Sequence, residues 1–387
     1  FLDGQGTIRD PLLAELVEPA LPGEEEAQLA LMKRCLQANR ERMINRFAPY
    51  RRLADLAAYF EDHPQTLLYA SNQFLADLLV WYHLSWLPEF ARRSDKRVKA
   101  LEDKACNYSL HDRRELLKII LELMESIIPR YRALAQSGQV ELTMSPYAHP
   151  IVPLLLDMNS AREAMPETHL PINRTYPGGE ERSRWHLEKG AETFERLFGA
   201  RPVGLWPSEG GVSQEALALF ADSGFTWVAS GGNVLDNSHD AHSKSCSHRL
   251  YRFGDADIDC AFRDDGLSDL IGFTYSDWHA KDAVANLVGH MEHIATLCPD
   301  RDDCLITIIL DGENAWEYYP ENGYHFLSEL YQTLAEHKQL DLTTMEQFIR
   351  ESTPEPARED RVVAGSWVYG TFSTWIGSED KNRAWDL

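Results

Sequence analysis

Residues 203–229 read VGLWPSEGGVSQEALALFADSGFTWVA, and their pattern decides the fold. A short apolar run, Val203–Trp206, ends at a proline and a charged, glycine-bearing turn. Apolar residues then recur at helical spacing over Ser213–Asp222, and a second apolar run follows at Trp227–Ala229. Strand, helix and strand in that order are the repeating unit of a parallel sheet.

The same alternation extends on both sides. It begins after Gly138 with Val140–Met144, followed by a helical pattern over Glu180–Phe198. Beyond residue 229 come a Leu250–Phe262 region suited to paired strands, a helix at Lys281–Thr296, a strand at Leu305–Leu310 and a helix at Tyr324–His337. A parallel sheet, open or closed into a barrel, accounts for this order. Before Gly138 the pattern is helical. Glu24–Phe47 carries periodic Leu, Met and Ile, Ser71 is placed to cap the next helix, and His111–Ala133 keeps an apolar face. The expected division is therefore residues 1–137 as a mainly helical region and 138–387 as the barrel region. Trp81, Tyr82 and Trp86 in the helical region are expected to be packing residues.

With 387 residues and 44% apolar content the chain can build a full core. Its 61 acidic and 38 basic residues give a net charge of −23, which repels phosphate backbones and anionic lipid. Nucleic acid and membrane surfaces are thus poor partners, whereas neutral sugars are compatible. The six cysteines form no CxxC pair and are expected to be mostly reduced thiols of a cytoplasmic protein. Oligomeric state is not legible.

Charged and aromatic residues gather where the expected strands end, the edge at which α/β sheets bind ligands. His149 sits in SPYAHPIVPLL (145–155) and Glu209 in WPSEGG (206–211), beside Trp206. Arg263, Asp264 and Asp265 sit in FRDDGLSD (262–269), and Asp311, Glu313 and Trp316 in LDGENAWEYY (310–319). Trp367 lies among glycines in GSWVYGTFSTWIG (365–377). Locally, Glu209 fits either a helix-start charge or a working carboxylate, and the Asp264–Asp265 pair fits either a turn or an acid. His239, His242 and His248 have no zinc-site spacing and read as a solvated loop.

In sequence order these segments resemble glycoside hydrolase family 57, in particular its amylopullulanase-like and α-amylase-like members. GQVELTMSPYAHPIVPLL is similar to the family's second motif, GLWPSEGGVS to the third, FRDDGLSDLIGF to the fourth and LDGENAWEYY to the fifth. The resemblance runs from about Asn72 to the C-terminus. It implies an α/β fold, a distorted (β/α)7 barrel with C-terminal helices. The family's first motif, a His-Gln-Pro, has no counterpart, so the barrel is expected to be incomplete at its N-terminus and a longer chain more stable or active.

The resemblance further implies a retaining reaction on α-glucans, with Glu209 as nucleophile and Asp264 as acid and base, their carboxyls about 5–5.5 Å apart. Asp264 then needs an apolar setting or a neighbouring like charge to keep its proton, with Asp265 turned toward Arg263 or solvent. His149, Trp206, Arg263, Asp311, Glu313, Trp316 and Trp367 would bind sugar. No metal or organic cofactor is implied. Water or a second glucan chain remain alternative acceptors, the latter giving a 4-α-glucanotransferase or branching enzyme. A metal-dependent deacetylase and a non-catalytic glucan-binding protein are the readings from other classes.

Overall fold

The computed structural model describes residues 8–239, 246–298, 303–312, 316–352 and 354–387. The chain divides into two compact units. One comprises Phe1–Pro129, Tyr275–Lys281 and Asp311–Tyr331, and the other Arg130–Thr274, Asp282–Leu310 and Gln332–Leu387.

The first unit is helical. Its central helix, Asn72–Trp86, is buried almost all round, because ten of its fifteen positions are apolar and neighbouring helices cover it. Ser71 starts it as expected, its hydroxyl accepting the Phe74 N–H at 3.1 Å. Trp81 is buried in this core with its indole donating to the Ala105 carbonyl, whereas Trp86 is largely exposed. Asp77 is buried as well and accepts the N–H groups of Asn107 and Tyr108, each at 2.9 Å. A buried carboxylate with two backbone donors ties that turn to the helix.

The second unit holds a mixed five-stranded sheet in the order β1-β2-β4-β3-β5. The strands are β1 (Gly204–Leu205), β2 (Trp227–Ser230), β3 (Tyr251–Phe253), β4 (Asp259–Phe262) and β5 (Ala357–Glu359). β1, β2 and β4 run parallel, in a register that sets Gly204 opposite Trp227 and Trp227 opposite Asp259. β3 returns antiparallel to β4, as the Leu250–Phe262 pattern suggests, and pairs parallel with β5. A single parallel bridge between Met144 and Leu205 extends the parallel set beyond β1.

The connecting helices are Gly179–Phe198, Gln214–Asp222, capped by Ser213, and Ala280–Leu297. Leu187, Leu217, Phe220, Val228, Phe253 and Phe262 meet in the core between sheet and helices. The architecture is α/β, and no helix among the described residues is long and apolar enough to cross a membrane.

One expectation needs correction. Leu305–Leu310, expected as a strand, joins no ladder. Its polar groups go elsewhere: the Thr307 carbonyl accepts the Asp264 N–H at 2.8 Å, and the Ile309 N–H donates to Ser268 Oγ at 3.2 Å. Two of the cysteines, Cys298 and Cys304, are joined in a disulfide across a separation of six, too wide for a CxxC signature. Among the described residues Cys35, Cys106, Cys246 and Cys260 are free thiols.

Candidate functional site

Because Met144, β1, β2 and β4 lie side by side and point the same way, the residues after them emerge at one edge. His149, Glu209, Gly231 and Asp264 come from four neighbouring segments there. The sequence expected three of these from separate strand ends.

Glu209 occupies a tight turn. Gly210 N–H donates to the Pro207 carbonyl at 2.8 Å and Gly211 N–H to Ser208 at 3.0 Å, leaving Glu209 at φ 55° and ψ 30°. A non-glycine residue in the left-handed region costs about 1 kcal/mol or more and persists where its surroundings enforce it. Here Ser230 Oγ donates to the Gly210 carbonyl at 2.6 Å, and Val212 and Gly365 exchange a pair of backbone bonds. Residues 365–367 are thereby fixed beside the turn. Trp367 holds Glu209 twice, through its N–H to the Glu209 carbonyl (3.2 Å) and its indole N–H to Oε2 (3.1 Å). The other carboxylate oxygen, Oε1, lies 3.2 Å from His149 Nε2. His149 also has a positive φ, 56°, following Ala148 at 57°. Two strained residues from different loops thus meet side chain to side chain.

The two indoles of Trp206 and Trp367 pack edge to face at 5.1 Å between centroids. The backbone beneath them leaves no spare room. A methyl on Gly210 would stand 3.0 Å from the Trp206 ring, and one on Gly231 2.5 Å from the Trp367 Cα. Glycine is required at 231 by close approach, not by its backbone angles.

Arg263 is the last residue before the second carboxylate. Its Nε donates to the Ile309 carbonyl at 3.0 Å, and its two terminal nitrogens bind Asp265 and Asp269, each at 2.7 Å. The guanidinium carbon lies 5.6 Å from the Trp367 ring centre. Trp367 therefore joins the Glu209 turn to the end of β4. Asp265 is turned to Arg263, as expected.

Asp264 caps the short helix Asp265–Asp269, Oδ1 accepting the Leu267 N–H at 2.8 Å. Its Oδ2 lies 2.8 Å from Nε2 of His248. The setting expected for it, one that retains a proton, is not what the structure builds. Burial pushes the carboxyl upward, but the His248 and Leu267 hydrogen bonds and the His248 and Arg263 charges outweigh it, so Asp264 lies below its ordinary value. The two carboxylates differ in access too: the Asp264 side chain is 14% exposed and that of Glu209 34%.

His248 is the residue beside Asp264 that the sequence placed in a solvated loop and not at the site. The reading of a solvated histidine loop is corrected for both of its described members, since the His248 and His239 side chains are 19% and 8% exposed. His242 lies outside the described residues, as does Glu313. Asp311 and Trp316 belong to the helical unit, where Trp316 packs against Tyr319 and Phe326. Among the described residues no three His, Cys, Asp or Glu side chains converge as metal ligands do.

A family model described as Glycosyl hydrolase family 57 matches residues 40–359. Among solved structures, the GH57 branching enzyme of Thermococcus kodakaraensis aligns at 15% identity and TM-score 0.52, covering 95% of this chain and 75% of that one. The GH57-type branching enzyme of Pyrococcus horikoshii aligns at 17% identity and TM-score 0.54, covering 95% and 74%. The α-amylase AmyC of Thermotoga maritima aligns at 14% identity and TM-score 0.51, covering 75% and 64%. No curated protein matches by sequence. The structural likenesses establish the fold, an α/β distorted barrel.

Proposed function

The chain belongs to glycosyl hydrolase family 57, and from that premise we propose that it is a retaining enzyme of α-glucans in which Glu209 is the nucleophile and Asp264 the acid and base. The observation that carries this reading is the setting of Glu209. It stands on a strained turn at the C-terminal edge of the parallel strands, with a separate donor on each carboxylate oxygen. Two fixed donors hold the carboxylate in one orientation, as attack on a single anomeric carbon requires.

In the first step the Glu209 carboxylate bonds to C1 of the sugar while Asp264 gives a proton to the departing glycosidic oxygen. In the second, Asp264 takes a proton from the incoming hydroxyl as that oxygen displaces Glu209. Retention requires the two carboxyls to lie about 5–5.5 Å apart. His149 orients Glu209, and the Trp206 and Trp367 rings supply apolar faces for sugar. Arg263, with its nitrogens engaged, contributes by holding the Trp367 ring.

Transfer to a second glucan chain is the other reading, favoured by the indole pair of Trp206 and Trp367 beside Glu209 and by likeness to two branching enzymes. An apolar cover limits the access of water to a covalent intermediate. The test is a product profile on amylose, pullulan and maltooligosaccharides, with the first-formed anomer read by proton NMR. Hydrolysis releases α-anomeric ends, and transfer yields longer or branched chains. A β-anomeric first product overturns the retaining mechanism.

A further inference from the structure

The acid proposed above has a partner that the family resemblance did not supply. His248 sets Nε2 2.8 Å from Asp264 Oδ2, while Leu267 N–H occupies Oδ1. The backbone of each residue is tied to one short segment, Leu305–Thr307. Leu305 N–H donates to the His248 carbonyl at 2.8 Å, and the Asp264 N–H donates to the Thr307 carbonyl at 2.8 Å. Imidazole and carboxylate therefore hang from the same strip of chain and keep their register. Both are shielded enough for their mutual charge to count.

Resting on the reading of Asp264 as acid and base, we propose that His248 is a positioning residue that shares one proton with Asp264, so that the pair and not the lone carboxyl stores the proton delivered to the leaving group. A carboxyl held below its ordinary value is ionised at neutral pH and has no proton to give. Imidazole is the side chain that gains and loses a proton in that range, and its Nε2, 2.8 Å from Oδ2, is within reach to pass that proton to the carboxylate.

The proton balance closes over the two steps. The pair begins as imidazolium and carboxylate. As the glycosidic bond breaks and the Glu209–C1 bond forms, the proton moves from Nε2 to the carboxyl and on to the leaving oxygen. Neutral imidazole and carboxylate remain. The incoming hydroxyl then returns one proton through Asp264 to His248 as its oxygen displaces Glu209 from C1.

Among the described residues the other charge acting on Asp264 is Arg263, which is bound to Asp265 and Asp269, and Arg249, next to His248 in the chain, is bound to Asp303 at 2.7 Å. Each cation has its own carboxylate, which leaves His248 as the hydrogen-bonded partner of Asp264 Oδ2.

The test uses the full chain and its His248→Ala and His248→Gln variants. Each is assayed on a maltooligosaccharide and on a 4-nitrophenyl maltoside, whose leaving group departs without an acid. Turnover of the maltooligosaccharide should fall by about 10²–10⁴-fold, the usual contribution of a general acid. Loss on the aryl maltoside should stay within about tenfold, and the alkaline limb of kcat/KM for the maltooligosaccharide should move to lower pH. His248→Gln keeps a hydrogen-bond donor but cannot take up the proton, so it should show the same shift as His248→Ala. The Asp264 carboxyl, followed by ¹³C NMR, should titrate higher in His248→Ala than in the wild type.

Equal losses on both substrates with an unmoved limb would reduce His248 to a structural residue and overturn the proposal. An unmoved Asp264 titration would overturn the pairing itself. A wild-type chain inert toward every α-glucan would sink the proposed function and the catalytic role with it, while the carboxyl titration, which needs no substrate, would still decide the pairing.

Discussion

Gly231→Ala places one methyl group against the residue that joins both halves of the site. The new carbon would stand 2.5 Å from Trp367 Cα and 3.0 Å from its Cβ. Carbon atoms at rest sit about 3.5–4.0 Å apart, so residue 367 must retreat by roughly 1 Å. The backbone at 231 has φ −78° and accepts alanine without strain, and the effect is therefore steric alone. Retreat breaks the 3.1 Å bond from the Trp367 indole to Glu209 Oε2 and leaves His149 as the other donor to that carboxylate. Overpacking of this kind costs about 1–3 kcal/mol of stability. A displacement of about 1 Å at a reacting group lowers turnover about 10²-fold. The assay pairs thermal unfolding with kcat on a maltooligosaccharide: a modest fall in Tm should accompany a large fall in kcat. Unchanged kcat with the expected fall in Tm would refute the argument that Trp367 sets the attitude of Glu209.

Other perturbations separate the parts. Ser213→Ala removes the cap of the helix Gln214–Asp222, whose hydroxyl accepts the Ala216 N–H at 3.2 Å, and should cost about 1 kcal/mol in urea unfolding with kcat near normal. Glu209→Ala should lower turnover by roughly 10⁴-fold or more, with glucan binding spared and part of the rate restored by azide; wild-type rates would exclude it as the nucleophile. His83 is buried in the helical unit, and burial, partly offset by the Leu12 backbone and the Asp10 charge, lowers its pKa to about 4. The unfolded chain takes up that proton near pH 6.5, so stability is full above about 6.5 and falls by up to about 3 kcal/mol as pH drops toward 4. Unfolding free energies measured at pH 7 and 4.5 should therefore diverge less in His83→Gln than in the wild type, and equal divergence would count against the buried neutral ring.

What the sequence disclosed follows from how local each signal is. Ser71 and Ser213 mark helix starts because a cap acts over three residues. β1 and β2 are legible as apolar runs bounded by turn residues, and the carboxylate after β1 could be placed at a strand end. Leu305–Leu310 carries the same apolar signature as a strand, since packing of Leu305 and Ile309 against the core calls for apolar residues whether or not a ladder forms. Partners supplied by Ser268 and the loop after β4 decide the matter, and they are 37 or more residues away in sequence. His248 was invisible for a similar reason. It lies 16 residues before Asp264, across the β3–β4 hairpin, and only the folded register brings Nε2 to the carboxylate. The low value of Asp264 depends on that contact and was hidden with it. The glycines of WPSEGG announced a turn, but not that Glu209 itself adopts the positive φ.

The central claim is that Glu209 forms a covalent bond to the sugar. It is tested most directly by trapping the intermediate with a 5-fluoro-α-glycosyl fluoride, whose glycosyl-enzyme forms faster than it is released, and mapping the labelled peptide by mass spectrometry. The label is predicted on Glu209 alone. A label on Asp264, or an active enzyme that accumulates no adduct, would contradict the assignment.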